Sequence, residues 1–99
     1  MVFKHLSVAQ LKALLGEQEV ILLDTRDEAS FQAGSIDGST RLDDSNVSDF
    51  IRATAKTSTL VMVCYHGHSS QGAASFLVDQ GFADVYSLDG GYTAWACSS

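Results

Sequence analysis

The sequence predicts a parallel α/β sheet with helices on both sides, and three observations carry that reading. Short apolar runs alternate with amphipathic segments along the chain. The run at residues 60–64 is continuous rather than alternating, as suits a strand covered on both faces. It passes through a polar, glycine-bearing loop into a segment with Ala73, Ala74, Leu77 and Val78 at helical spacing. Cys64 is thereby expected at the carboxyl end of a central strand, the edge at which open α/β sheets bind ligands.

Taken in order, residues 2–5 read as an edge strand. Ser7 and Gln10 then fit a capping box, with serine at the N-cap and glutamine three residues on. Val8, Leu11, Leu14 and Leu15 form one apolar helix face, and Gly16 is expected to end that helix as a left-handed cap. Residues 20–23 form a second buried strand, which delivers Asp24, Thr25, Arg26 and Asp27 to the same sheet edge. Asp24 and Arg26 are expected to form a structural ion pair, because a carboxylate beside a needed thiolate raises its pKa.

Residues 28–33 suit a short helix closed by Gly34, and residues 40–42 a short strand. Asp43 or Asp44 is expected to begin a helix with Val47, Phe50, Ile51 and Thr54 on one face, its acidic start matching the helix dipole. Residues 56–59 are a polar connection into the central strand. Ser69 and Ser70 are candidates to cap the following helix, which Gly81 stops. Residues 85–88 make the last strand, and Gly90 and Gly91 turn into a final helix holding Trp95. Tyr86 and Trp95 are expected to pack in the core and at its rim rather than bind a ligand.

Length and composition narrow the function. Ninety-nine residues with 45% hydrophobic content suit one domain, residues 1–99, able to bury about 65% of its unfolded surface. No apolar segment has the length of a signal peptide core or a bilayer span, so a soluble cytoplasmic protein is expected. Cys64 and Cys97 are the two cysteines, too few for a disulfide framework and compatible with a reducing compartment. The net charge of −6 argues against nucleic acid and anionic membrane as partners.

The loop after Cys64 is the most informative stretch. A lone cysteine ending a strand is ordinarily an inert core residue. Here Tyr65, His66, Gly67, His68, Ser69 and Ser70 follow it directly. Gly67 permits a positive φ, successive backbone N–H groups can converge as an anion nest, and a helix amino end points back at the loop. Such surroundings lower a thiol pKa and make an activated nucleophile.

These residues resemble the single-domain rhodanese family of thiosulfate sulfurtransferases over nearly the whole chain. The resemblance rests on Asp24-Thr25-Arg26-Asp27 with Phe31 and Gly34, on Val63 through Ser70 with Gly72, Ala73 and Ala74, and on Tyr86 through Gly91 with Trp95. It implies a five-stranded parallel sheet and a ping-pong reaction. Cys64 would take the outer sulfur of thiosulfate as a persulfide, with the backbone amides of Tyr65 to Ser69 turned toward it. A thiophilic acceptor, such as cyanide or a thiol or dithiol protein like thioredoxin, would then remove the sulfur. No cofactor or metal is implied.

Members of the family usually carry lysine where this chain has Gln71, and asparagine where it has His68. Gly34-Ser35-Ile36 replaces the common Gly-His-Ile. Asp24, Arg26 and Gln71 are therefore kept as accessory candidates. His66 and His68 are expected to supply some of the missing positive charge when protonated, since imidazole ordinarily titrates near ~6.5.

Three rival functions follow from other chemistry. A cysteine phosphatase needs a loop arginine to bind phosphate bidentately, and this loop has none. A metal site from Cys64, His66 and His68 would need alternate residues of one tight loop to converge, with no evident fourth ligand. A non-catalytic module of the same fold is the alternative from a different class, since fold does not fix function.

Overall fold

Strand and helix alternate from end to end: β1 (Lys4–Leu6), α1 (Val8–Glu17), β2 (Ile21–Asp24), α2 (Glu28–Ala33), β3 (Thr40–Arg41), α3 (Val47–Ala53), β4 (Thr59–Val63), α4 (Ser69–Asp79), β5 (Asp84–Leu88) and α5 (Gly91–Cys97). The computed structural model describes residues 3–67 and 69–98. Met1, Val2, His68 and Ser99 lie outside the described residues, and with them the expected start of the first strand. The five strands are all parallel, in the order β1-β5-β4-β2-β3.

β4 is the middle strand, and alternation along it builds two cores. Leu60 and Met62 face one side with Leu23 and Val85, where α3 and α4 supply Phe50, Ile51, Ala74 and Leu77. Val61 and Val63 face the other with Leu22 and Leu88, where α1 and α5 supply Leu11, Leu14 and Trp95. Residues 60–63 are all 0% exposed, so the continuous apolar run marks a strand covered on both faces. Each such side chain contributes about 1.5–3 kcal/mol relative to exposure, which fixes the register.

The site position follows from this arrangement. β4 and β5 are hydrogen-bonded neighbours, yet α4 leaves β4 for one face and α5 leaves β5 for the other. Chains that part to opposite faces open a crevice at the carboxyl ends of their strands. Cys64 stands at that point.

Several local expectations hold. Ser7 and Gln10 form both halves of the capping box; Gly34 is the C-cap of α2; Gly81, at φ +105°, follows α4. Others are corrected. Gly16 lies inside α1, which closes at Gln18 in extended conformation with its N–H on the Leu14 carbonyl, 3.1 Å away. The helix therefore ends without any left-handed residue. Asp43 does not begin a helix: its carboxylate accepts from the N–H groups of Ser45 (2.9 Å) and Asn46 (3.2 Å) and fastens a turn. α3 starts only at Val47, because the side chain offers the backbone a local alternative to the helix.

Candidate active site

β4 ends at Val63, and Cys64 is 2% exposed. The backbone around it is held from both neighbouring strands. Thr25, just past β2, donates its N–H (2.8 Å) and its hydroxyl (3.0 Å) to the Val63 carbonyl. From the opposite side, α5 donates the Tyr92 N–H to the Cys64 carbonyl (2.6 Å) and the Thr93 N–H to that of Tyr65 (3.0 Å). The start of α5 thus grips the start of the loop.

The loop then folds back over the sulfur. Gly67 has φ +89°, and a Cβ there would stand 2.9 Å from the Gly90 nitrogen, so glycine is required on both counts. Its N–H donates to Cys64 Sγ at 3.0 Å. The Ser70 hydroxyl lies 3.3 Å from the same sulfur. Burial by itself pushes the Cys64 thiol up. Hydrogen bonds from the Ser70 and Ser69 hydroxyls and the Ser70 and Gly67 N–H groups outweigh it, and the thiol is held below its ordinary value.

The candidates divide into two groups. Cys64, Gly67, Ser69 and Ser70 come together around the sulfur. Ser70 does so in place of the capping role expected for it, since its hydroxyl is fully buried between Cys64 and Ser87. Tyr65 and His66 have exposed side chains. His68 lies outside the described residues. Gln71 turns its amide onto the Gly67 carbonyl, 2.8 Å away, and braces the loop.

Asp24 and Arg26 are a buried pair, 1% and 5% exposed, joined by bonds of 2.8 to 3.1 Å. Arg26 also donates to the Gly34 carbonyl at 2.7 Å and stacks beneath Tyr92, 4.2 Å from its ring centroid. Its guanidinium also lies 5.6 Å from the ring centroid of Tyr65, the first residue of the loop. Sequence reasoning passed over Ser87, Tyr92 and the link from the Tyr65 hydroxyl to Asp27, 2.5 Å long. For Ser87 a signal existed: a hydroxyl within a buried strand requires a partner.

Beside the loop, a cavity of about 490 Å³ is walled by Leu42, Val47 and Phe76, with Asp43, Asp44 and Ser69. Its apolar walls and two carboxylates are unsuited to a small dianion. An anion is better served by the N–H groups that face the sulfur.

A shielded cysteine whose sulfur is met by backbone and hydroxyl donors, at the switch point of a parallel sheet, defines an α/β domain with a cysteine loop at its carboxyl edge. Residues 7–97 match the Rhodanese-like domain family, and the chain belongs to it. It is similar to a protein named thiosulfate sulfurtransferase GlpE of Pseudoalteromonas translucida, with 53% identity over 96% of this chain and 90% of the relative. A protein of the same name from Shewanella oneidensis is 52% identical over 94% and 92%. The crystal structure of a rhodanese-like domain protein from Staphylococcus aureus superposes with a TM-score of 0.82 over 94% of this chain and 91% of that one. At 24% identity that likeness concerns the fold.

Proposed function

We propose that the chain is a thiosulfate sulfurtransferase working through a persulfide on Cys64. The observation that carries this is the hydrogen bonding of the Cys64 sulfur by Gly67 and Ser70 in a 2%-exposed site. The thiolate attacks the outer sulfur of thiosulfate, the S–S bond breaks, and its electron pair leaves with sulfite. The negative charge then rests on the terminal sulfur of Cys64-S-S⁻, where N–H and O–H donors stabilise it without reorganising.

In the second half, an acceptor attacks that terminal sulfur and the electron pair returns to Cys64 as thiolate. Cyanide leaves as thiocyanate. A dithiol protein such as thioredoxin would take the sulfur, close its own disulfide and release hydrogen sulfide. Residues 1–99 act as one domain in this scheme. Among the described residues no helix is long and apolar enough to cross a membrane, and both cysteines are free, with Cys97 exposed. The reducing cytoplasm is the compartment that suits them.

Intact mass of the reduced protein after thiosulfate, and again after cyanide, tests the cycle. One sulfur atom is expected to be gained and then lost as thiocyanate, in wild type and Cys97→Ser but not in Cys64→Ser. No gain from thiosulfate or other sulfane donors would leave the non-catalytic module as the better reading.

A further inference from the structure

Four polar or charged side chains are buried among the described residues: Asp24, Arg26, Ser70 and Ser87. Asp24 and Arg26 hold each other, and Ser70 meets the sulfur. Ser87, on β5, is 0% exposed, and its hydroxyl lies 2.8 Å from that of Ser70. The three groups form a line from the strand interior to the nucleophile: Ser87, Ser70, Cys64.

Each hydroxyl has one hydrogen to give and lone pairs to receive. While Cys64 is a thiol, its S–H can donate to Ser70, which passes its own hydrogen to Ser87. Once the sulfur is negative it only accepts. Ser70 must then turn its hydrogen to the sulfur, and the Ser87 hydroxyl donates to the oxygen of Ser70. Both serines are shielded from bulk water, so this second donor polarises the first, strengthening it by roughly 10–30%.

We propose that Ser87 is a positioning residue for sulfur transfer, whose hydroxyl aims that of Ser70 at the Cys64 sulfur in its negative forms. The proposal rests on Cys64 being the nucleophile. Its test does not rest on sulfur transfer, because alkylation reads the thiolate directly.

In a Cys97→Ser background, the rate of Cys64 modification by iodoacetamide is followed against pH by intact mass. Ser87→Ala is expected to move the midpoint upward by about half a unit, which is about threefold slower modification at any pH well below it. Ser70→Ala should shift it at least as far, and adding Ser87→Ala to Ser70→Ala should shift it no further, since the relay is already cut. An unmoved midpoint in Ser87→Ala overturns the proposal, as does an equal shift in the Ser70→Ala background. Ser87→Thr and Ser87→Val guard against a merely structural effect, having one shape and differing in the hydroxyl. The valine midpoint is expected above the threonine one, and equal midpoints would overturn the relay.

Discussion

Gly91 lies directly against the backbone of Cys64. A Cβ at position 91 would collide with the Cys64 carbonyl oxygen and come within 2.6 Å of the Tyr65 carbonyl group, and the residue has φ +59°. The contact is what lets the Tyr92 N–H reach the Cys64 carbonyl at 2.6 Å. The helix that follows β5 is thereby docked on the peptide of Cys64 itself.

Gly91→Ala should displace α5 or the loop, since the obstructing atoms are backbone and cannot rotate away. Sulfurtransferase activity is expected to fall at least tenfold with a lower melting temperature. Wild-type activity in a folded variant would show that the contact is dispensable.

Asp24→Ala leaves the Arg26 guanidinium buried without its carboxylate. The loss of stability in urea is expected to be about 3–5 kcal/mol. Replacing both residues with apolar ones of similar volume should cost less, because no unpaired charge remains. A larger loss in the double variant would contradict this account.

The Asp27 carboxyl is pulled down to about 2 from 3.8, first by the Tyr65 hydroxyl and then by the Ser30 hydroxyl and N–H. A carboxyl depressed by folding adds stability above its unfolded value and loses it as pH falls through the folded one. The link from Tyr65 to Asp27 should therefore weaken between pH 3.8 and about 2. Tyr65→Phe is expected to raise the Asp27 midpoint toward the ordinary carboxylate range in an NMR titration. A midpoint that stays low would assign the shift to Ser30 alone.

Gln71→Lys places a cation beside the loop without requiring the Gly67 carbonyl to lose its donor. The thiosulfate KM should drop severalfold at low ionic strength, and added salt should erase much of the gain.

Gly16 is the penultimate residue of α1, and an added Cβ would meet nothing within 4 Å. Gly16→Ala is expected to stabilise the fold by about 0.5–1 kcal/mol, read as a higher urea midpoint at unchanged activity. Destabilisation would mean that the glycine serves the closure at Gln18.

Most of the scaffold was legible in the chain. The run Leu60, Val61, Met62, Val63 announced a strand buried on both faces, and Ser7 with Gln10 announced the first helix start. Gly67 marked the turn of the loop, where only glycine takes φ +89° beside other backbone. The misreadings lie at ends of elements. Gly16 and Asp43 are residues that fit caps, and neighbouring hydrogen bonds, at Gln18 and in the turn at Asn46, decided against them.

The sequence by itself determined which segments are strands and helices and that Cys64 meets a loop of donors, because apolar periodicity, glycine conformation and capping chemistry act between residues close in the chain. Only the tertiary structure decided what surrounds that loop. The order β1-β5-β4-β2-β3 brings Ser87 from β5, Thr25 and Arg26 from beyond β2, and Gly91 from α5 to one sheet edge. These partners are distant in sequence, and no local propensity records them. They meet because both faces of β4 must be covered, and covering them sends α4 and α5 to opposite sides of Cys64.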